Sequence, residues 1–301
     1  MQIQRNVPLA EYTSWLIGGP AEYFCLPTEE SEVYEAWQFA LDNQLPVTVF
    51  GGGSNVLVSD QGIRGLTICL RRFSKCSTEE RDGFLWIHCL AGTGKSDLLK
   101  VFLKAKLEPA LFLAGLPGDV GGGIIMNAGV SENLKPREFG EIVDSFTVLT
   151  HDGSQFKEIH YRHHDVTWSY RHSSGWEKGI VLRATLKWPL HPDPQILEKV
   201  KQANRVRLSK QPLDMPSCGS VFINPQGHKS AQLIDSCGLK GLRKGDAQVS
   251  LKHANFIVNL DRATAKDTWD LILEVQKTVL EKTGVQLKTE VVRLGDWPAD
   301  S

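Results

Sequence analysis

The chain has 301 residues, of which 41% are hydrophobic and 23% charged, with a net charge of −1. That length holds two or three packed domains, and the composition is ordinary for a globular protein. The near balance of charge leaves no electrostatic footprint for nucleic acid or an anionic membrane.

In chain order, the opening MQIQRNVPLAEYTSW carries no apolar core of signal-peptide length. Residues 21–26 read as a short strand. Thr28 can cap a helix over 29–43, with Glu29 and Glu30 suited to its positive end. Strands are expected at 47–50, 66–70 and 84–90, and a helix over 95–106 places Leu98, Leu99, Phe102 and Leu103 on one face. The apolar run Leu111-Phe112-Leu113-Ala114 reads as a strand feeding a glycine-rich crossing, inside which neither helix nor strand is expected. Strands follow at 142–149, with a hairpin turn at Gly153, then at 165–169 and 180–188. The stretch 189–194 has three prolines in six residues, which block helix and sheet alike and mark a linker. Beyond it come a basic helix over 195–209, an irregular stretch through Pro212 and Pro216, a short helix over 229–237 and a strand over 255–260. A helix over 264–282 sets Trp269, Ile272, Leu273, Gln276, Val279 and Leu280 at core spacing, and a final strand spans 285–294. No uninterrupted apolar stretch nears the roughly 20 residues of a membrane span. The pattern is α+β, with a ligand-binding part up to about residue 190 and a smaller αβ lid or substrate domain after it.

Glycine is concentrated in two places. Residues 115–129, GLPGDVGGGIIMNAG, hold six glycines in fifteen residues, and Gly51-Gly52-Gly53-Ser54-Asn55 follows the strand at 47–50. Such density fits a main chain that passes within contact distance of a ligand and turns N–H groups towards it. Two such loops point to one long phosphate-bearing ligand held by backbone. Two tight turns without a ligand are the plainer reading.

Other motifs divide the same way. Ala91-Gly92-Thr93-Gly94-Lys95-Ser96 is similar to a P-loop, but Cys89 stands where that motif needs its first glycine, so it reads as a strand–helix turn. His160, His163 and His164 beside Asp165 read as solvated loop histidines, and no metal is expected. The six cysteines (25, 69, 76, 89, 218, 237) form no C-x-x-C pair, and Cys69, Cys89 and Cys237 sit where a thiol is packing material. A reduced, cytoplasmic protein is expected. Arg171, after Tyr170 at a strand end, suits either a bidentate carboxylate clamp or a surface ion pair. Ser220 in Cys218-Gly219-Ser220 lacks a nucleophile elbow, which leaves a capping serine or a proton donor. Glu290 on the final strand shares a face with Val292 and Leu294. An apolar setting there would raise its pKa and let it hold a proton near neutrality; an edge-strand glutamate in water is the alternative.

Taken in order, these segments resemble the MurB family of UDP-N-acetylenolpyruvoylglucosamine reductases. The resemblance runs through TSWLIGGPA (13–21), GGGSNVLVSD (51–60), AGLPGDVGGGIIMNAG (114–129) and SYRHS (169–173). It continues in QPLDMPSCGSVFINP (211–225), LIDSCGLKGLRKGDAQVS (233–250), HANFIVN (253–259) and LKTEVVRLG (287–295). It implies a two-part FAD-binding region of the vanillyl-alcohol-oxidase (PCMH) type and a C-terminal αβ substrate-binding domain. The expected divisions are 1–75 and 76–190 for the two FAD-binding subdomains and 191–301 for the substrate-binding domain.

The implied reaction reduces the enolpyruvyl ether of a UDP-sugar, UDP-N-acetylglucosamine enolpyruvate, to a lactyl ether. NADPH is the reductant and non-covalent FAD the carrier, in a bacterial cytoplasm and in peptidoglycan precursor synthesis. A monomer is expected. FAD would be held by Gly51, Gly52, Gly53, Ser54, Asn55, Pro117, Gly118, Gly121 and Gly122, with Asn127, Ala128 and Gly129 approaching the flavin. Arg171 and Glu290 match the residues that stabilise the enolic carboxylate, and Ser220 the serine that protonates carbon. Tyr170, Lys210 and Asn224 match substrate-contact positions.

Three departures stand out. Ile223 replaces the lysine of the family's G-S-x-F-K-N-P motif. Asp119 replaces a small hydroxyl residue next to the expected phosphate, a place where a carboxylate is unfavourable unless it points away or caps a turn. The link from Val130 to Phe139 is longer than usual and is expected near the flavin. The absence of a long tyrosine-bearing insertion before the serine is similar to the shorter, type II form. Another FAD oxidoreductase of the same fold, or a non-catalytic nucleotide-sugar binder, would share parts of this pattern.

Overall fold

The computed structural model describes residues 1–130 and 134–297. Two sheets form the first two-thirds of the chain. In chain order come β1 (Gln4–Pro8), β2 (Pro20–Cys25), α1 (Glu30–Asp42), β3 (Val47–Phe50), β4 (Val56–Val58) and β5 (Ile63–Cys69). The first sheet runs β1-β2-β5-β3, antiparallel at β1–β2 and parallel elsewhere. Helix α1 buries Val33, Ala36 and Ala40. It starts one residue later than expected, and Thr28 does not cap it. Instead the Thr28 N–H and hydroxyl both donate to Glu32.

Next come β6 (Cys76–Arg81), β7 (Phe84–Leu90), α2 (Lys95–Lys104), α3 (Pro109–Leu113) and α4 (Val120–Ile125). They are followed by β8 (Val143–His151), β9 (Phe156–Arg162), the hairpin β10 (Thr167–Ser169) and β11 (His172–Ser174), and β12 (Ile180–Pro189). The second sheet is antiparallel throughout, ordered β6-β7-β12-β8-β9. Its inner face joins α1–α4 in one core that contains Leu66, Ile87, Phe102, Phe112, Phe139 and Leu186.

Three expectations fail here. Residues 111–113 are helical, not a strand, because Pro109 presets the first turn of α3 and Ala110, Phe112 and Leu113 are buried. The glycine-rich crossing contains helix α4. Asp119 caps it by accepting from Gly122 N at 2.8 Å. A Cβ on Gly123 would fall 2.9 Å from the Phe139 ring, so close packing overrides the helix cost of glycine. His160 also differs from expectation: it lies on β9, within hydrogen-bond reach of Thr147, and not in a loop.

The last third comprises α5 (Ile196–Lys210), α6 (Ser230–Ser236), β13 (Arg243–Lys244), β14 (Ala247–Val249), β15 (Ile257–Asn259), α7 (Ala265–Thr283) and β16 (Val292–Leu294). Strands β13-β14-β15 form a small sheet against α7, whose Leu271, Ile272, Val275 and Val279 are buried. The final strand is shorter than expected. Only β16 pairs regularly, in parallel with β4, and Glu290 lies just before it.

The N-terminal segment is sewn into this last third. Trp15 is fully buried in its core and donates Nε1 to Ile257 O at 2.8 Å. Asn259 Nδ2 donates to Trp15 O at 3.0 Å. Asp60, ending the first glycine-loop segment, accepts from Ala265 N and Lys266 N at the start of α7. Together with β4–β16, these contacts fix the relation of the first sheet to the C-terminal sheet.

Candidate active site

A cavity of 1410 Å³ lies where these parts meet, lined by both glycine loops, α4, α5, Arg171, the 217–220 segment and Glu290. It exceeds the few hundred to about 1,000 Å³ of a drug-sized ligand pocket, so it has room for a dinucleotide and a second ligand beside it.

The loops explain several of their own glycines. Gly53, at φ +68°, would place a Cβ 2.0 Å from Tyr12 O. At Gly51 a Cβ would fall 1.9 Å from Asp119 Oδ2. The Asp119 carboxylate therefore fills the space that Gly51 leaves. It accepts from Gly52 N at 2.5 Å as well as from Gly122 N. The amides of both glycine-rich segments are thus partly occupied by an internal anion. Gly118 differs, because it has Ser54 Oγ and Lys95 Nζ beside its bare Cα.

Lys95 was dismissed by sequence as part of an ordinary turn. The turn is ordinary, with Gly94 preceding α2, but the Lys95 side chain is buried on the cavity wall. Its ammonium donates to Pro117 O at 2.9 Å and lies 5.5 Å from the Phe139 ring centre. Burial pulls its pKa down from the ordinary value to about 8, with the Asp119 carboxylate resisting and Arg171 assisting.

Also on the cavity wall, Arg171 Nε and Glu290 Oε1 are 2.9 Å apart, and both side chains are mostly buried. Arg171 sits at φ +58° and donates Nη2 to Gly129 O at 2.9 Å. Burial raises the Glu290 carboxyl more than the Arg171 charge lowers it. Glu290 N donates to Val221 O at 2.8 Å, which sets Ser220 one residue from the Glu290 backbone. Asn255 locks this strand start. Its Oδ1 accepts from Phe222 N and its Nδ2 donates to Phe222 O. Cys218 is buried, and burial holds its thiol protonated.

The expected site residues are largely drawn together. Gly51, Gly52, Gly53, Ser54, Asn55, Pro117, Gly118, Gly121, Gly122, Ala128, Gly129, Arg171, Ser220, Asn224 and Glu290 all line the cavity. Asn127 does not. It is fully buried behind the wall, bonded to Gly140 N, Glu138 and Ser169 O. Lys210 is exposed and off the wall. Tyr170 is 46% exposed, stacked by the Arg171 guanidinium and accepting from Asn224 Nδ2 at 3.5 Å. Residues missed by sequence include Lys199, Gln202 and Arg207, which α5 turns to the cavity; the basic character of that helix was the available signal. Arg207 Nη1 donates to Ala114 O at 2.6 Å. Ile223 is not on the wall. Of the long 130–139 link, Val130 and Leu134 line the cavity, while 131–133 lie outside the described residues. Among the described residues, no cluster of three or more metal-ligating side chains occurs.

Comparison with known proteins agrees with this geometry. Residues 211–294 match the family profile "UDP-N-acetylenolpyruvoylglucosamine reductase, C-terminal domain", and residues 21–157 match "FAD binding domain". A relative from Pediococcus pentosaceus, named UDP-N-acetylenolpyruvoylglucosamine reductase, is 38% identical over 98% of this chain and 95% of its own. One of the same name from Lactiplantibacillus plantarum is 41% identical over the same shares. The crystal structure of the reductase (MurB) from Thermus caldophilus has a TM-score of 0.77 at 32% identity, covering 98% of this chain and 99% of that one. This chain therefore belongs to the UDP-N-acetylenolpyruvoylglucosamine reductase (MurB) family of FAD-dependent oxidoreductases, in its shorter form.

Proposed function

We propose that the chain reduces UDP-N-acetylglucosamine enolpyruvate to UDP-N-acetylmuramate, using NADPH and non-covalently held FAD, in bacterial peptidoglycan precursor synthesis. The observation that carries this is the cluster of Arg171, Glu290 and Ser220 on the wall of a cavity that both glycine loops also line. The donor set suits FAD: at Gly118 a hydroxyl and an ammonium face bare backbone, in keeping with a diphosphate. Gly51 to Asn55, Pro117, Gly118, Gly121 and Gly122 would hold the cofactor, with Ala128 and Gly129 at the wall nearest Arg171. The proposed divisions are 1–75, 76–190 and 191–301, whose main sheets are β1-β2-β5-β3, β6-β7-β12-β8-β9 and β13-β14-β15, with β4–β16 pairing the first to the last.

Bound FAD would supply the hydride chemistry, with NADPH as the reductant, for addition to one alkene carbon of the substrate. Negative charge then gathers on the substrate carboxylate. The Arg171 guanidinium faces that charge, preset by Gly129 O and by Glu290. Glu290, with its raised pKa, can hold a proton against the carboxylate oxygen. Ser220 Oγ delivers a proton to the second carbon. A free hydroxyl is a very weak acid, so the charged groups of Arg171 and Glu290 on the same wall must assist the transfer. Asn224 on the cavity wall, and Tyr170, which lies off the wall but in contact with Asn224, are proposed to touch the substrate.

The test is NADPH oxidation by the purified yellow protein with UDP-N-acetylglucosamine enolpyruvate, repeated with Ser220→Ala. Substrate-dependent turnover lost by at least about a hundredfold in the variant is expected. A flavin-loaded wild type that leaves this substrate untouched, or a variant as fast as wild type, contradicts the reading.

A further inference from the structure

Asp119 and Lys95 carry opposite charges at the junction of the two glycine loops. Asp119 is 5% exposed as a residue, and its carboxylate accepts from Gly52 N and Gly122 N. Lys95 is 4% exposed as a residue, and its ammonium contacts Pro117 O and lies with Ser54 Oγ beside the bare Cα of Gly118. Among the described residues, no ion pair within 4.0 Å joins Lys95 to any carboxylate. The ammonium thus keeps donor capacity for a further anion, because a lysine has three N–H groups. The carboxylate, for its part, stands on amides that a phosphate would otherwise use.

We propose that Lys95 and Asp119 form a charge-balancing pair at the cofactor's diphosphate, in which Lys95 holds the phosphate and offsets the repulsion from Asp119. This rests on the FAD reading above and adds to it the two residues that set how tightly this chain retains its cofactor. Asp119 cannot be removed without cost to the empty protein, since it caps α4 and ties Gly52 to Gly122. It therefore orders the loops and weakens binding at once. Lys95 makes that arrangement compatible with a ligand bearing two negative charges. With both residues present the pair is neutral. Without the lysine it is −1, and without the carboxylate it is +1.

The net charges fix an order of affinity that can be measured without turnover. Deflavinated protein would be titrated with FAD, following quenching of flavin fluorescence. The set is wild type, Asp119→Asn, Lys95→Met, Lys95→Arg and the double variant Lys95→Met/Asp119→Asn. Asparagine keeps the helix cap and an acceptor for Gly122 N, but it loses the charge and, with its NH2 facing Gly52 N, the bond to Gly52, which frees that amide for a phosphate. Lys95→Met is expected to loosen FAD by roughly tenfold or more, the scale of one unit charge several ångströms away at protein-like screening. Asp119→Asn should tighten it by a similar factor, and the double variant should return near wild type. Lys95→Arg should retain most of the affinity, which separates loss of charge from loss of fold. Raising salt from 50 to 500 mM should shrink these differences. Tighter binding by Lys95→Met, or weaker binding by Asp119→Asn with its melting profile intact, overturns the proposal while leaving the FAD reading in place. A failure of every form, wild type included, to take up FAD overturns both.

Discussion

Asn55 donates its side-chain amide to the backbone carbonyl of Glu290 across 2.9 Å, and Val292 returns an N–H to the Asn55 carbonyl at 3.0 Å. The first glycine loop is therefore joined to the backbone that carries the proposed proton-holding carboxylate, although 235 residues separate Asn55 from Glu290. Asn55 is one of the residues through which the cofactor loops set the position of the acid. Replacing it with alanine removes one hydrogen bond, worth about 1 kcal/mol of stability. The larger effect falls on turnover, because a misplaced Glu290 stabilises the reacting carboxylate less well. Asn55→Ala should lower kcat by about tenfold or more with a smaller change in KM. Steady-state kinetics beside a melting curve check this. A change confined to KM would place Asn55 in binding alone.

Glu290 gives a prediction with a sign. Burial raises its folded pKa above the ordinary value, so between the two values the native state binds a proton that the unfolded chain has lost. Stability from this group is then present at low pH and is lost as pH rises through the folded pKa. Glu290→Gln removes that loss and keeps an acceptor for Arg171. The variant should therefore melt at a higher temperature than wild type at pH 7.5 and approach it near pH 4, while substrate reduction falls by a hundredfold or more. Parallel melts across pH 4–8 measure it. A variant that is less stable than wild type at pH 7.5 would mean the ion pair outweighs the desolvation.

Trp15 bears on how the parts are held together. Its indole is fully buried among C-terminal residues, is bonded to Ile257 O, and receives Asn259 on its carbonyl. Trp15→Ala should cost about 3–5 kcal/mol, against about 1 for Asn259→Ala. Urea unfolding followed by far-ultraviolet circular dichroism compares them. Equal, small effects would show that the N-terminal segment rests on the C-terminal core without fastening it.

Chemistry alone left Arg171, Ser220 and Glu290 open between a functional and a plain reading; the family resemblance singled them out, and all three line the cavity. The helices at 95–104 and 265–283 were legible because their apolar spacing is regular, the one at 30–42 from its acidic start, and the one at 196–210 as a basic stretch after the prolines. Strands β1, β6 and β9 were not, because they sit at sheet edges and alternate weakly. Helix α4 was hidden because glycine is a poor helix former, and only its packing on Phe139 and its Asp119 cap make it one. Asp119 itself was legible as an oddity with two possible resolutions. The protein adopts the capping one, joined to a contact with Gly52 that no local pattern encodes. Lys95 was hidden for the same reason, since its burial depends on residues 117–119 folding over it.

Lys95 also makes cofactor retention and protein stability respond to pH in opposite directions. Burial lowers its folded pKa from 10.5 to about 8, and the charged groups that act on it are Asp119, ahead of α4, and Arg171, between β10 and β11. Between these two values the unfolded chain holds a proton that the native state has released. Stability of the flavin-free protein therefore rises with pH across that window. Over the same window the ammonium offered to the cofactor disappears, so FAD binding should weaken as pH passes about 8. Lys95→Arg keeps its charge at all these pH values and should show a flatter binding profile. Fluorescence titrations at pH 6.5, 8 and 9.5, run beside melts of the flavin-free protein, test both halves. If wild type and Lys95→Arg lose FAD in parallel as pH rises, another group controls retention.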